Sequence, residues 1–466
     1  MSDADSFQPI AEKMRAAGLS GAAVRAFEGN YRALQRNETG LIGEGAIVAV
    51  PELPDVKSMP AVSPEAFQNL LRKTVVIKLN GGLGTGMGLE KAKSLLTVRE
   101  GLTFLDLIAQ QILHLREETG SGSVPRFLLM NSFSTSEDTL AFLEKYPALG
   151  GAHEVEMMQN KVPKLVTNDL TPLSWAADPE LEWCPPGHGD IYASLAGSGW
   201  LERLLSEGIL YAFVSNSDNL GATLNPALLG YFAESGAPFL MEVTARTEAD
   251  KKGGHLARRR SDGRLILRES AQCPKADEEA FQDISKHRYF NTNNLWIRLD
   301  RLKETLDAND GMIPLPMIRN EKTADPRDPE SPRVYQLETA MGAAIESFAG
   351  AGAIAVGRDR FAPVKTTGDL LIIRSDACRI TPDHRLELVP ERNGEPPVVN
   401  LDAQYYKLVD GLETMLREAI PSLRQCERLT VTGPVAFAPG VEVIGKWEIN
   451  NTSSQEQVIE AGVYGS

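Results

Sequence analysis

The run Val75-Val76-Ile77-Lys78-Leu79-Asn80-Gly81-Gly82-Leu83-Gly84-Thr85-Gly86-Met87-Gly88-Leu89-Glu90-Lys91-Ala92-Lys93-Ser94 decides how this chain is read. Its first residues are apolar and β-branched, as in a buried strand. Five glycines in the next eight residues, and two lysines after them, give a backbone whose N–H groups can approach a bulky anion with no Cβ in the way. The stretch is a strand feeding a phosphate loop.

Spacing excludes the two commonest loops of that kind. A Walker loop counted back from Lys93-Ser94 needs glycine where Ala92 and Met87 stand, and the dinucleotide fingerprint opened by Gly82 and Gly84 needs its third glycine at Met87. What remains resembles the Leu-x-Gly-Gly-x-Gly-Thr-x-x-Gly…Pro-Lys-Ser signature of the UDP-glucose pyrophosphorylases, the UTP:glucose-1-phosphate uridylyltransferases. By that resemblance Leu79, Asn80, Gly81, Gly82 and Lys93 bind nucleotide, and Lys93 is also catalytic. Two positions depart from the pattern: Ala92 stands where proline is usual and Gly86 where serine is common, which implies a more mobile loop.

Outward from this loop, strand-loop-helix units alternate. Leu102–Leu113 reads as a helix capped by Thr103, Phe127–Met130 as a second buried strand, and Asn131–Thr139 as the lead into another helix. The alternation predicts an α/β fold with a doubly wound, Rossmann-like mixed sheet, and ligands lie beyond the carboxyl ends of such strands. The resemblance implies the same nucleotidyltransferase architecture. Upstream, Phe7–Arg36 reads as two short helices broken at Gly18 and Gly29, and Gly40–Pro64 as an extended connector. Downstream, Asn320–Arg333 reads as a charged loop and Gln336–Ile345 as a helix. From about Ile380, short β segments divided by glycines predict a small parallel β-helix. The expected domains are 1–70, helices and connector; 71–380, the catalytic domain; and 381–466, the C-terminal β-helix.

Further motifs carry chemistry. Leu210–Val214 is an apolar strand ending in Ser215-Asn216-Ser217-Asp218; a carboxylate just past such a strand is well placed for Mg²⁺, which takes one or two carboxylates and otherwise phosphate oxygens and water. Asp218 is thus the candidate metal ligand, with capping of the next helix as the alternative role. Cys184-Pro185-Pro186-Gly187-His188-Gly189-Asp190 fixes one imidazole between two prolines and two glycines. Pro363-Val364-Lys365-Thr366-Thr367-Gly368-Asp369 places Lys365 beside a helix N-terminus, where both would attract phosphate. By resemblance, Gln159 reads the uracil ring and Gly187 touches the nucleotide, as do Asp218 and Lys365. His188, Asn216 and Asn293 contact the sugar phosphate, and Lys365 joins Lys93 as a catalytic residue. For Asn291 and Asn294, beside Asn293, a structural turn and a sugar contact fit equally.

Composition bounds the rest. The chain has 466 residues, 42% hydrophobic and 24% charged, with no apolar run near the roughly 18 residues of a membrane span. Its start, Met1-Ser2-Asp3, lacks a secretory layout and reads as cytoplasmic. Forty-eight basic against 63 acidic residues give −15, which argues against nucleic acid as a partner. Four dispersed cysteines suggest neither zinc nor disulfides. The family likeness implies UTP and glucose 1-phosphate as substrates, giving UDP-glucose and pyrophosphate, with Mg²⁺ as cofactor and the C-terminal domain as the surface for any homo-oligomer. A UDP-N-acetylglucosamine or broad UDP-sugar pyrophosphorylase is the enzyme alternative, although that relative carries Arg-Leu-Gly in place of Gly86-Met87-Gly88. A catalytically silent nucleotide-sugar sensor is the non-enzyme alternative.

Overall fold

In the computed structural model, which describes residues 3–466, the apolar run becomes the strand Thr74–Asn80 at the heart of a ten-stranded sheet. It pairs in parallel with Tyr211–Asn216 on one side and Arg126–Asn131 on the other; Glu156–Met158 continues the parallel set. Alternation of side chains sends Val76, Phe127, Leu129 and Phe213 into one core layer and Val75, Ile77, Leu128, Ala212 and Val214 into the other. Both faces are covered, which is why the strand sequences read as continuous apolar runs. The mixed α/β architecture is the expected one.

The capping expectation at Thr103 holds: its hydroxyl accepts from Asp106 N–H while Asp106 Oδ2 accepts from Thr103 N–H, and the helix Phe104–Thr119 packs against the sheet. One antiparallel strand, Tyr289–Arg298, is shared by Tyr211–Asn216 and Phe239–Ala245. Its pairing with the former stops at Val214 opposite Leu295. On that side the ladder therefore ends before Ser215 and Asn216, at the carboxyl end of a central strand, the region where ligands bind in such sheets.

Four local expectations need correction. Gly18 ends the first helix with φ +79°, but Gly29 lies inside the second, Gly21–Gln35, next to Met312. The connector is not wholly extended: Ile47–Ala49 forms an antiparallel edge strand on His255–Arg259. The charged loop begins late, because Asn320–Thr323 belongs to the strand Met317–Thr323. Gln336–Ile345 is no helix; Arg333–Thr339 pairs with Met317–Thr323 along its whole length, and Met341–Glu346 forms a 3₁₀ segment. Gly342 faces Leu267 and Asn291 closely, so the small residues do serve close packing.

At the C-terminal end, Val398–Leu401, Ser422–Thr432, Val441–Asn450 and Gly462–Tyr464 form one parallel sheet, and Val435–Phe437 pairs in parallel with Gln457–Ile459. Leu412, Leu429 and Phe437 share one apolar cluster with Phe104 and Leu370. Residues Met1 and Ser2 of the acidic start lie outside the described residues. Among the described residues no helix is long and apolar enough to cross a membrane.

Candidate active site

The glycine loop is pinned by its neighbours. Asn80 is buried and its side-chain amide donates to Asn131 Oδ1 at 2.7 Å and Thr139 Oγ1 at 3.0 Å. Its side chain is thus committed to the fold, and only its backbone is left for a ligand. Gly84 and Gly88 hold φ near +68° and +80°, conformations that L side chains rarely adopt. Ala92 has φ −50°, close to what a proline would impose, and is buried, so the substitution leaves the backbone path unaltered.

From this loop Lys93 reaches across to Asp218 Oδ2 at 2.7 Å and to the Val364 carbonyl. One ammonium thereby joins three segments distant in sequence. Asp218 Oδ1 is buried and has no hydrogen-bond partner. The alternative role for Asp218 is not the one it plays, since Asn225 caps the next helix, Pro226–Ser235. Among the described residues no group of three or more His, Cys, Asp or Glu side chains could hold a metal. A cation at Asp218 would depend on oxygens brought by the ligand, as magnesium sites commonly do.

A second cluster surrounds Gln159. Its backbone N–H donates to Asn131 O at 2.7 Å, its amide donates to Gly187 O at 3.1 Å, and a Cβ on Gly81 would lie 2.6 Å from its Oε1. Gln159 is therefore next to both Gly81 and Gly187. At Gly187, φ is +78° and a Cβ would come within 2.5 Å of Thr339 O. Next to it, Met341 N–H donates to His188 Nδ1 at 2.9 Å, and burial pushes this imidazole down to about 4. His188 is neutral at pH 7 and carries its proton on Nε2, as a hydrogen-bond donor. Asp190, unnoticed in the sequence, fastens the turn by accepting from Asn160 N–H at 2.7 Å and Ser194 Oγ at 2.8 Å. Burial pushes its carboxyl up to about 6 against those bonds.

Lys365 does stand at a helix start, Thr366 and Asp369 forming a capping box ahead of Thr367–Arg374. Its side chain is exposed, with Nζ 5.9 Å from the Phe361 ring. The ammonium is free to swing, unlike that of Lys93. Across from it lies Glu269, whose carboxyl burial pushes up and Lys365 pulls down.

Asn293 sits at φ +58° in a bulge, where Glu242 alone stands opposite Thr292, Asn293 and Asn294, and its Oδ1 accepts from Asn291 Nδ2 at 2.8 Å. Asn291 and Asn294 both spend their side-chain amides on the fold. Asn294 donates to Glu242 Oε2 at 3.1 Å, and the same carboxylate receives Trp296 Nε1 and two bonds from Arg360. Sequence reasoning missed Glu242 and Arg360, which meet from 118 residues apart. Lys78, equally unremarked, did leave a signal: it is a charge inside an apolar strand. It is buried, and desolvation together with Arg360 pushes it down to about 7 against the pull of Glu242 and Asp218.

Residues 25–443 match the sequence family described as UTP–glucose-1-phosphate uridylyltransferase. The chain belongs to that family. The UTP–glucose-1-phosphate uridylyltransferase of Saccharomyces cerevisiae is 41% identical over 411 residues, covering 86% of this chain and 80% of the relative. That of Solanum tuberosum is 42% identical over 385 residues, 82% of this chain and 78% of the relative. Among solved structures, a mutant UDP-glucose pyrophosphorylase from Leishmania major in complex with UDP-glucose superposes with a TM-score of 0.93 at 49% identity, covering 99% of this chain and 98% of the other. A Trypanosoma brucei structure described as UDP-glucose phosphorylase gives 0.89 at 48% identity, with 98% of each chain covered.

Proposed function

We propose that the chain transfers the uridylyl group of UTP to glucose 1-phosphate, releasing pyrophosphate and forming UDP-glucose. The observation that carries this reading is the Lys93–Asp218 contact, which brings the glycine loop, the end of a central strand and the Val364-Lys365 segment to one point. Family membership supplies the substrates.

In this reading a phosphate oxygen of glucose 1-phosphate attacks the α-phosphorus in line, and the bond to pyrophosphate breaks. The nucleophile is a phosphate monoester with a second pKa of about 6, ionised already at neutral pH, so no general base is needed. The protein aligns two polyanions and stabilises charge shifting onto the α-phosphoryl and leaving oxygens. Leu79, Asn80, Gly81 and Gly82 present backbone to the nucleotide, Gln159 and Gly187 hold the uracil, and neutral His188 donates from Nε2 to the sugar phosphate. Asn216 and Asn293 contact the sugar phosphate, with Asn293 on the sugar. Lys93 and Lys365 provide positive charge, Lys365 by swinging in when substrate is bound. The unpartnered Asp218 Oδ1 fits a divalent cation, which we read as Mg²⁺; when bound it would neutralise phosphate charge.

The boundaries near 70 and 380 divide N-terminal helices, catalytic domain and C-terminal unit, and the parallel pairing of the strands from Val398 onward supports a short β-helix, preceded by the antiparallel pair Cys378–Ile380 and Leu386–Leu388. Its last strand, Gly462–Tyr464, pairs on one side only and is the surface we propose for any homo-oligomer. Four unpaired cysteines favour a reducing, cytoplasmic setting.

The test is pyrophosphate release with a panel of nucleoside triphosphates and sugar 1-phosphates. UTP with glucose 1-phosphate is expected to be the fastest pair. UDP-glucose binding without turnover of any pair would make the chain a sensor, and a faster rate with N-acetylglucosamine 1-phosphate would move it to the neighbouring enzyme class.

A further inference from the structure

Lys78 has no role in the reading above, yet it is 3% exposed and lies directly beneath the Asp218 loop. In the sheet register it stands opposite Ser215, and its Nζ donates to Ser215 Oγ at 2.8 Å and to Ala222 O at 2.7 Å. Those acceptors are the two ends of the segment that carries Asn216 and Asp218. A single ammonium thus ties off the loop at its base. The far side of the loop is held differently: Asn219 accepts from Ala362 N–H and donates to Arg360 O, and Arg360 Nη2 donates to Thr223 O at 3.0 Å.

Both partners of Lys78 are neutral oxygens. The nearest buried carboxylate, Glu242, spends its oxygens on Arg360, Asn294 and Trp296. A buried lysine without a contacting carboxylate is costly to charge, and an apolar residue would suit the core of this strand better. Its position explains why it is there. The geometry points to Lys78 as a positioning residue for the proposed reaction: it clamps both ends of the Asp218 loop and so fixes where that carboxylate meets the metal-bound triphosphate.

This inference rests on the uridylyltransferase reading, and its test separates the two. Lys78→Met keeps the unbranched shape of the side chain, one atom shorter, and removes its donors; Ser215→Ala removes one acceptor with little change in volume. Binding of Mn²⁺ in the presence of UTP is followed by electron paramagnetic resonance, beside steady-state kinetics. Outer-shell supports of metal sites typically account for roughly 10- to 100-fold in affinity or activity. Lys78→Met is expected to weaken Mn²⁺ by about that factor in the presence of UTP and lower kcat similarly, with KM for glucose 1-phosphate changed less than about 2-fold. Ser215→Ala should move the same quantities in the same direction by a few-fold, less than Lys78→Met, with thermal unfolding still cooperative and lowered only slightly. Mn²⁺ affinity like the wild type in Ser215→Ala and in any folded Lys78→Met overturns the assignment, as does a parallel rise of both KM values without weaker Mn²⁺ binding. Should Lys78→Met not fold, Ser215→Ala decides alone. A wild type that binds Mn²⁺ and UTP but releases no pyrophosphate would instead sink the enzymatic reading.

Discussion

Lys93 and Lys365 carry the same charge and differ in freedom, and the difference assigns them different work. Lys93 is anchored to Asp218 before substrate arrives, whereas Lys365 is exposed and acts on Glu269 only through its charge. A swinging ammonium contributes most once charge has formed for it to meet. Lys365→Ala is expected to lower kcat by about 10² to 10³ with little change in KM for glucose 1-phosphate, as for loss of one charged donor at a phosphoryl site. An unchanged kcat with both KM values raised would make Lys365 a plain binding residue. Gln159 is bonded to Gly187 and given room by the bare backbone of Gly81, so Gln159→Ala should erode the preference for UTP over CTP and ATP in competition assays; a preserved preference would remove it from base reading. His188 yields a pH prediction. Its folded pKa near 4 lies below the unfolded 6.5, so between those values the unfolded chain binds more protons and stability falls as the pH drops. Denaturant midpoints at pH 7 and 4.5 should therefore differ less in His188→Gln than in the wild type. An equal acid loss in both would mean that the ring is not buried in its neutral form.

Among the elements, the antiparallel strand Tyr289–Arg298 does most to shape the site. Its bulge turns Asn293 out of the ladder, and the buried Glu242 holds that bulge to Arg360 and to the loop before Lys365. Removing the carboxylate leaves a guanidinium buried without its partner, a change that typically costs about 3 to 5 kcal/mol. Glu242→Ala should show this in the urea midpoint at constant slope, with a raised KM for glucose 1-phosphate as the bulge relaxes. A loss below about 1 kcal/mol would mean the strand keeps its shape without the pair.

At the scale of the whole molecule, the C-terminal unit and the sheet are not thermodynamically separate, because one apolar cluster runs from Val76 through Leu370 and Leu412 to Phe437. A chain ended at Ile380 is expected to lose its near-ultraviolet circular dichroism signal and cooperative melting, since it would expose that cluster to water. A truncated chain that melts cooperatively would show that the C-terminal unit is dispensable for the fold. The sequence by itself determined what depends on neighbours along the chain: the central strand, the glycine loop, the Thr103 and Thr366 caps, and the rigid turn around His188 are all written in spacing and backbone chemistry. Only the tertiary structure decided that Gln336–Ile345 is strand and 3₁₀ segment, because pairing with Met317–Thr323 outweighs local helix preference. It alone brought Lys93 to Asp218 and Glu242 to Arg360 from more than 100 residues away. Such contacts leave no periodic trace in a sequence, since each partner is one residue whose meaning depends on a surface formed elsewhere in the fold.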